Sequence, residues 1–229
     1  MSKMVNVMVV GEGASEQNFV VQVLAPYLAV KGIYLQATQI SKKGEKGGDV
    51  KFSRAQRDVL NFLKQREDLV VATFVDYYGV KEWPGLEEVR GLSEPTPADI
   101  ARIMNDAAVE DIQEKLKNVQ VNRRYIPFTA VHEFEALLFS DAEILSSELG
   151  IDIALIRSAL HECGSPEQVN THPDTSPSNR LMAWTNGHYS KAQRGIVIAG
   201  KIGVDKMRQE CPNFDAWLKR LESLVDGDD

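Results

Sequence analysis

The stretch Val5-Asn6-Val7-Met8-Val9-Val10-Gly11-Glu12-Gly13 decides how the rest of the chain is read. Its first six residues are apolar at nearly every position, the pattern of a strand buried on both faces. Gly11 to Ser15 then turns the chain, with Ser15 as the expected N-cap of a helix whose apolar residues Phe19, Val20, Val23, Leu24 and Leu28 recur at helical spacing. Pro26 interrupts that helix, and Gly32 ends it.

The same rhythm repeats downstream. Ile33 to Ile40 reads as a strand, Phe52 to Arg66 as a helix with Val59, Leu60 and Leu63 facing inward, and Leu69 to Val75 as a buried strand that ends at Asp76. Strand and helix alternating with near-continuous apolar strands predict an α/β fold, a mainly parallel, Rossmann-like sheet flanked by helices. Trp83 to Pro97, with three prolines, is a connection expected to lie over the functional edge of the sheet. Ala98 to Leu116 is an amphipathic helix suited to a core or to an interface in a homo-oligomer, and Arg124 to Val131 returns as a strand. Pro127 in that last strand removes an N–H, which predicts an edge or strand-end position. No strand is expected after His132. The organisation read from this pattern is an α/β core over residues 1–140 and a helical C-terminal extension over 141–229, packed on the core.

Composition narrows the function classes. The chain has 229 residues, 43% hydrophobic and 26% charged, as ordinary globular proteins do. Its apolar runs are too short to cross a bilayer, and the first residues lead straight into a strand, so a cytoplasmic location is the expectation. Two cysteines, Cys163 and Cys211, and four scattered histidines fit neither a disulfide framework nor a zinc site. The formal net charge of −7 argues against nucleic-acid binding by bulk electrostatics. One segment departs from it: Lys42, Lys43, Lys46, Lys51, Arg54 and Arg57 stand among only two acids, Glu45 and Asp49, as either a solvated loop or a phosphate-contacting arm.

The polar residues that carry chemistry stand just past strands. Glu12 follows the first strand, Asp76 a later one, and His132-Glu133-Phe134-Glu135 the last; ligands of open α/β sheets gather at that edge. Carboxylates delivered there form an oxygen-rich cluster of the kind a hard cation such as Mg²⁺ selects. Tyr77 and Tyr78, after Asp76, are placed to hydrogen-bond a ligand or to stack on a base. If a helix begins at His132, Glu133 and Glu135 point to different sides, so one would hold a ligand and the other cap or salt-bridge. Lys191, after Tyr189, and Arg180, after Ser176-Pro177-Ser178-Asn179, are cations suited to charge developing on a phosphate. Neither a zinc-protease H-E-x-x-H nor a phosphate-loop G-x-x-x-x-G-K-[ST] is present.

These residues also carry a resemblance. The strand ending in Glu12-Gly13 and the strand ending in Asp76 resemble the Toprim fold of topoisomerases, bacterial primases and overcoming-lysogenization-defect nucleases. More closely, Glu12-Gly13-Ala14-Ser15-Glu16, Asp76-Tyr77-Tyr78-Gly79, the octet from His132 to Phe139, and Cys211-Pro212-Asn213-Phe214 with Trp217 resemble a bacterial Toprim-like family, domain of unknown function 4276, over nearly the whole chain. The resemblance implies Mg²⁺- or Mn²⁺-dependent phosphodiester hydrolysis of DNA or RNA. It assigns Glu12 and Asp76 as the metal-binding acids of the two motifs, with Glu133 or Glu135 in place of the further acid. Read from charge alone, Lys191 is the assisting cation of such a centre, and Lys42, Lys43, Lys46, Arg54, Arg57 and Arg180 are the expected nucleic-acid contacts. The resemblance further implies an effector of bacterial anti-phage defence working with a separate ATPase subunit. Two positions depart from the pattern: Tyr78 stands where the wider Toprim group has a second Asp, and Asn179 where relatives have lysine. The competing expectation is a Toprim-derived regulatory or partner-binding subunit without catalysis.

Overall fold

The computed structural model describes residues 4–41, 50–169 and 175–226. Four parallel strands form the central sheet: β1 (Val5–Gly11), β2 (Ile33–Gln39), β4 (Leu69–Asp76) and β6 (Tyr125–Ala130), in the order β2-β1-β4-β6. Two short strands, β3 (Val50–Lys51) and β5 (Val80–Glu82), make a separate parallel pair that the sequence pattern did not suggest. β6 is an edge strand, as Pro127 predicted. No strand follows it among the described residues.

Alternation along each strand divides the core into two layers. Val5, Val7 and Val9 of β1, Val70, Ala72 and Phe74 of β4, and Ile126 and Phe128 of β6 face one side. Val10, Leu69, Val71, Val75 and Tyr125 face the other. Successive side chains of a strand point to opposite faces, so a strand covered on both sides is apolar at consecutive positions. The second layer is closed by α3 (Phe52–Gln65), α4 (Leu86–Arg90) and α5 (Pro97–Lys115). Ile100, Ile103, Met104 and Ile112 of α5 are buried there, so its apolar face is spent on the core. The connection from Trp83 to Pro97 belongs to this layer too rather than to the ligand edge: Trp83 meets Phe52 edge-on at 5.0 Å, and Gly85 lies so close to the Ile103 carbonyl that a side chain there would clash.

The first layer is closed by α1 (Ala14–Phe19) and α2 (Ala25–Ala29), together with helices from the C-terminal part of the chain. After β6 and the short α6 (Val121–Arg124) that precedes it, a 3-10 helix spans Phe134–Ser140, followed by α7 (Ala142–Leu149), α8 (Ile153–Cys163), α9 (Pro177–Trp184), α10 (Ile196–Ile202), α11 (Val204–Glu210) and α12 (Pro212–Glu222). Trp217 of α12 stacks on Phe128 at 4.8 Å, and Arg208 of α11 bonds Asp215 and Glu222 while Tyr27 of α2 donates to Asp205. The helical extension therefore shares one apolar cluster with the sheet.

Two local expectations change. The first helix is capped by Gly13 rather than Ser15, because the Glu16 carboxylate reaches back to accept the Gly13 N–H at 2.9 Å. Between α1 and α2 the helix widens into a π turn over Val20–Leu24. Pro26, lacking an N–H and carrying a ring that crowds the preceding turn, accounts for this widening. No helix among the described residues is long and apolar enough to cross a membrane.

Candidate functional site at the carboxyl edge of the sheet

The chain lays down β1, moves outward to β2, then crosses back to set β4 on the other side of β1. The direction of progress therefore reverses between β1 and β4, and open α/β sheets bind ligands in the crevice beyond that switch point. Glu12 and Asp76 sit at the ends of these two strands. The Glu12 N–H bonds the Phe74 carbonyl at 3.2 Å, and the Tyr77 N–H bonds the Ala130 carbonyl at 2.8 Å. These pairings bring the ends of β1, β4 and β6 side by side, and with them Glu12, Asp76 and the segment His132–Glu135.

The turn after β4 is tight. Asp76 Oδ1 accepts the Tyr78 N–H at 2.8 Å and the Asp76 carbonyl accepts the Gly79 N–H at 3.1 Å. A Cβ built on Gly79 would lie 3.0 and 3.1 Å from the two Glu12 carboxylate oxygens and 3.4 Å from the Asp76 Cβ. Gly79 is thus the floor on which the two acidic side chains converge, and its want of a side chain gives the Glu12 carboxylate its place.

Glu133 and Glu135 do not diverge as a regular helix would make them. Glu133 is the residue before the 3-10 helix and Glu135 lies inside it, and both reach Lys191: Nζ is 2.6 Å from Glu133 Oε1 and 3.7 Å from Glu135 Oε2. Glu133 also accepts the Ser178 N–H at 2.9 Å from the first turn of α9. Glu135 is buried to 1% exposure and accepts the Tyr189 hydroxyl at 3.3 Å. Gly195 leaves room for that hydroxyl, since a Cβ there would come within 2.5 Å of it.

Charge in this cluster is unevenly compensated. Burial, then the nearby Glu12 and Glu133 carboxylates, push the Asp76 carboxyl well above its ordinary range. Burial raises Glu135 to about 7, against the pull of Lys191. Glu16 is raised too, by burial. Glu133 is lowered: burial acts against ionisation, but hydrogen bonds from Lys191 and Ser178 outweigh it. Carboxylates raised in this way gain from a cation or a proton. Burial depresses His132 to about 4, so its ring is neutral at neutral pH; its Nδ1 has no hydrogen-bond partner among the described residues.

The predicted site residues thus separate into groups. Glu12, Asp76, Glu133, Glu135 and Lys191 meet at one edge. Arg180 does not display a free guanidinium: its side chain is 13% exposed, donates to the Thr175 carbonyl at 2.9 Å and approaches Glu162 at 4.0 Å. Arg57 is exposed and lies 3.7 Å from Asp58, Arg54 is half-buried on the same helix, and Lys42, Lys43 and Lys46 lie outside the described residues. Sequence reading gave no role to Glu16, Gly79 or Tyr189. Glu16 stands in the quoted Glu-Gly-Ala-Ser-Glu motif, which was the available signal for it; Gly79 and Tyr189 act through contacts across the fold.

A family model described as Domain of unknown function (DUF4276) matches residues 11–222. The chain belongs to that family. The match takes in the whole carboxyl edge, from Glu12 through Lys191, and the C-terminal helices that support it. No curated protein and no solved structure matches the chain.

Proposed function

We infer that this member of the family is a metal-dependent nuclease, with a Toprim-like site that hydrolyses a phosphodiester. The observation that carries this reading is the convergence of Glu12 and Asp76 over Gly79 at the switch point of a parallel sheet, where burial and the neighbouring Glu12 and Glu133 carboxylates push Asp76 upward. Hard oxygen donors suit Mg²⁺ or Mn²⁺, and Mg²⁺ is commonly held by one or two carboxylates plus substrate phosphates. Among the described residues no three His, Cys, Asp or Glu side chains are close enough to share an ion, so two carboxylates and the substrate itself are the donor set that fits. A cation held by Glu12 and Asp76 would supply Lewis acidity and an activated water. Lys191, pinned by Glu133 and Glu135, is the positive group beside that centre, suited to charge building on the phosphate.

Glu133 serves chiefly to hold Lys191 and the start of α9 in this reading, with Glu135 beneath it. A role in anti-phage defence with an ATPase subunit follows from the Toprim likeness of the motifs and is part of the same proposal. One observation favours the alternative, a regulatory subunit: Lys191 already occupies the place between Glu133 and Glu135 that a second cation would take.

The test is cleavage of single-stranded and duplex DNA and of RNA with Mg²⁺ or Mn²⁺, by the wild type and by Glu12→Gln. Metal-dependent cleavage falling by about a hundredfold or more in a folded variant supports the nuclease. No metal-dependent cleavage by the wild type on any substrate rules it out in favour of the regulatory reading.

A further inference from the structure

Beside the carboxylates stands an aromatic arrangement that the hydrolytic chemistry does not use. Tyr78 is 61% exposed, an unusual degree for a tyrosine held by neighbours. Its ring lies flat on the His132 imidazole, centroids 5.0 Å apart and planes 10° apart, and Tyr77 meets its edge at 4.8 Å and 70°. His132 beneath it is only 5% exposed, and the Tyr78 backbone is fixed by its N–H to Asp76. The ring is therefore held in one orientation from below while most of the residue remains open to solvent. It is two residues from Asp76, within about 7 Å along the chain.

A fixed, exposed aromatic face next to a phosphate-cleaving centre has a specific use. Unpaired bases stack on such faces, in a manner tolerant of sequence, whereas the bases of a duplex are already stacked on both sides. Resting on the nuclease reading above, we propose that Tyr78 is a base-stacking platform and that the substrate is single-stranded nucleic acid, one unpaired base lying on Tyr78 with its phosphate directed to Glu12 and Asp76. The replacement of a second acid by Tyr78 in the Asp76-Tyr77-Tyr78-Gly79 turn then has a positive meaning.

The experiment is a binding titration of the full chain with a short labelled oligothymidylate, the same strand carrying an abasic position, and its duplex, in Ca²⁺ in place of Mg²⁺. The wild type binds the intact single strand about tenfold to a hundredfold more tightly than the abasic strand or the duplex. Tyr78→Ala loses that preference, and Tyr78→Phe, which keeps the ring, retains it. Equal affinity of the wild type for intact and abasic strands, equal affinity for duplex, or a Tyr78→Ala protein that binds as the wild type does overturns the proposal. Cleavage by the wild type is scored separately with Mn²⁺. Base-dependent binding without cleavage would overturn the nuclease reading and leave the platform standing, whereas cleavage indifferent to base removal would overturn the platform alone.

Discussion

The two ends of the sheet make opposite use of charge. At the amino end a cavity of about 520 Å³ is lined by Arg123, Arg124, Arg220, Glu67 and Asp68. There Arg124 donates to the Leu63 and Leu69 carbonyls, Arg220 to the Asn122 carbonyl, and Arg66 to Asp68. Polar groups at that end tie the end of α3 to the strands. At the carboxyl end Glu12, Asp76, Glu16 and Glu135 crowd around Lys191 and Glu133, and three of these acids are raised. Compensated and uncompensated charge thus lie at opposite ends of the fold. The crowded end carries the unrelieved electrostatic cost, which is the mark of a site shaped for something other than stability.

The sharpest way to probe this contrast is through pH. Glu135 is raised to about 7 from an ordinary value of 4.5, so its protonated form is favoured by folding; the stability it contributes is fully present below 4.5 and is lost as pH rises through about 7. Urea unfolding at a series of pH values should show the wild type losing roughly 3 kcal/mol across that window relative to Glu135→Gln. Parallel pH profiles for the two proteins would show that the carboxyl end stores no such cost. Arg124→Ala should act at the other end in the opposite sense. Removing its charged hydrogen bonds to the carbonyls at the end of α3 is expected to destabilise by about 2 kcal/mol, read as a lower urea midpoint, with cleavage per folded molecule unchanged. A loss of activity beyond the loss of folded protein would break the separation of roles. The smallest effect on stability is expected for Gly79→Ala. Its new methyl meets the mobile end of Glu12 rather than backbone, so the fold should lose under about 1 kcal/mol. Cleavage should nevertheless fall about tenfold or more as the Glu12 carboxylate is displaced.

How much of this was legible in the sequence follows from the same physics. β1, β4 and β6 were readable because their faces are largely covered, which forces consecutive apolar residues, and Pro127 announced an edge; β2, the other edge strand, was readable from its start, where buried Ile33 and Leu35 alternate with exposed Tyr34 and Gln36. The cap lies at Gly13 rather than Ser15 because Glu16, three residues on, accepts the Gly13 N–H, the return half of a capping box that needs no side chain on the cap residue. The β3–β5 pair escaped because strands of two and three residues have no periodicity to detect. In the site, Glu12, Asp76, Glu133, Glu135 and Lys191 were visible through their places after strands or within motifs. Their partnership was not, since the contact of Lys191 with Glu133 spans 58 residues and depends on a 3-10 turn that no spacing rule foretells.

Calorimetric titration of Mn²⁺ into the wild type and into Asp76→Asn bears most directly on the proposed metal centre. Binding by the wild type, weakened tenfold or more in a variant whose thermal unfolding is unchanged or higher, is the predicted result, because neutralising Asp76 removes both a ligand and a repelled charge. Equal Mn²⁺ affinity in the two proteins, or no binding to the wild type with or without a single-stranded oligonucleotide present, would contradict it.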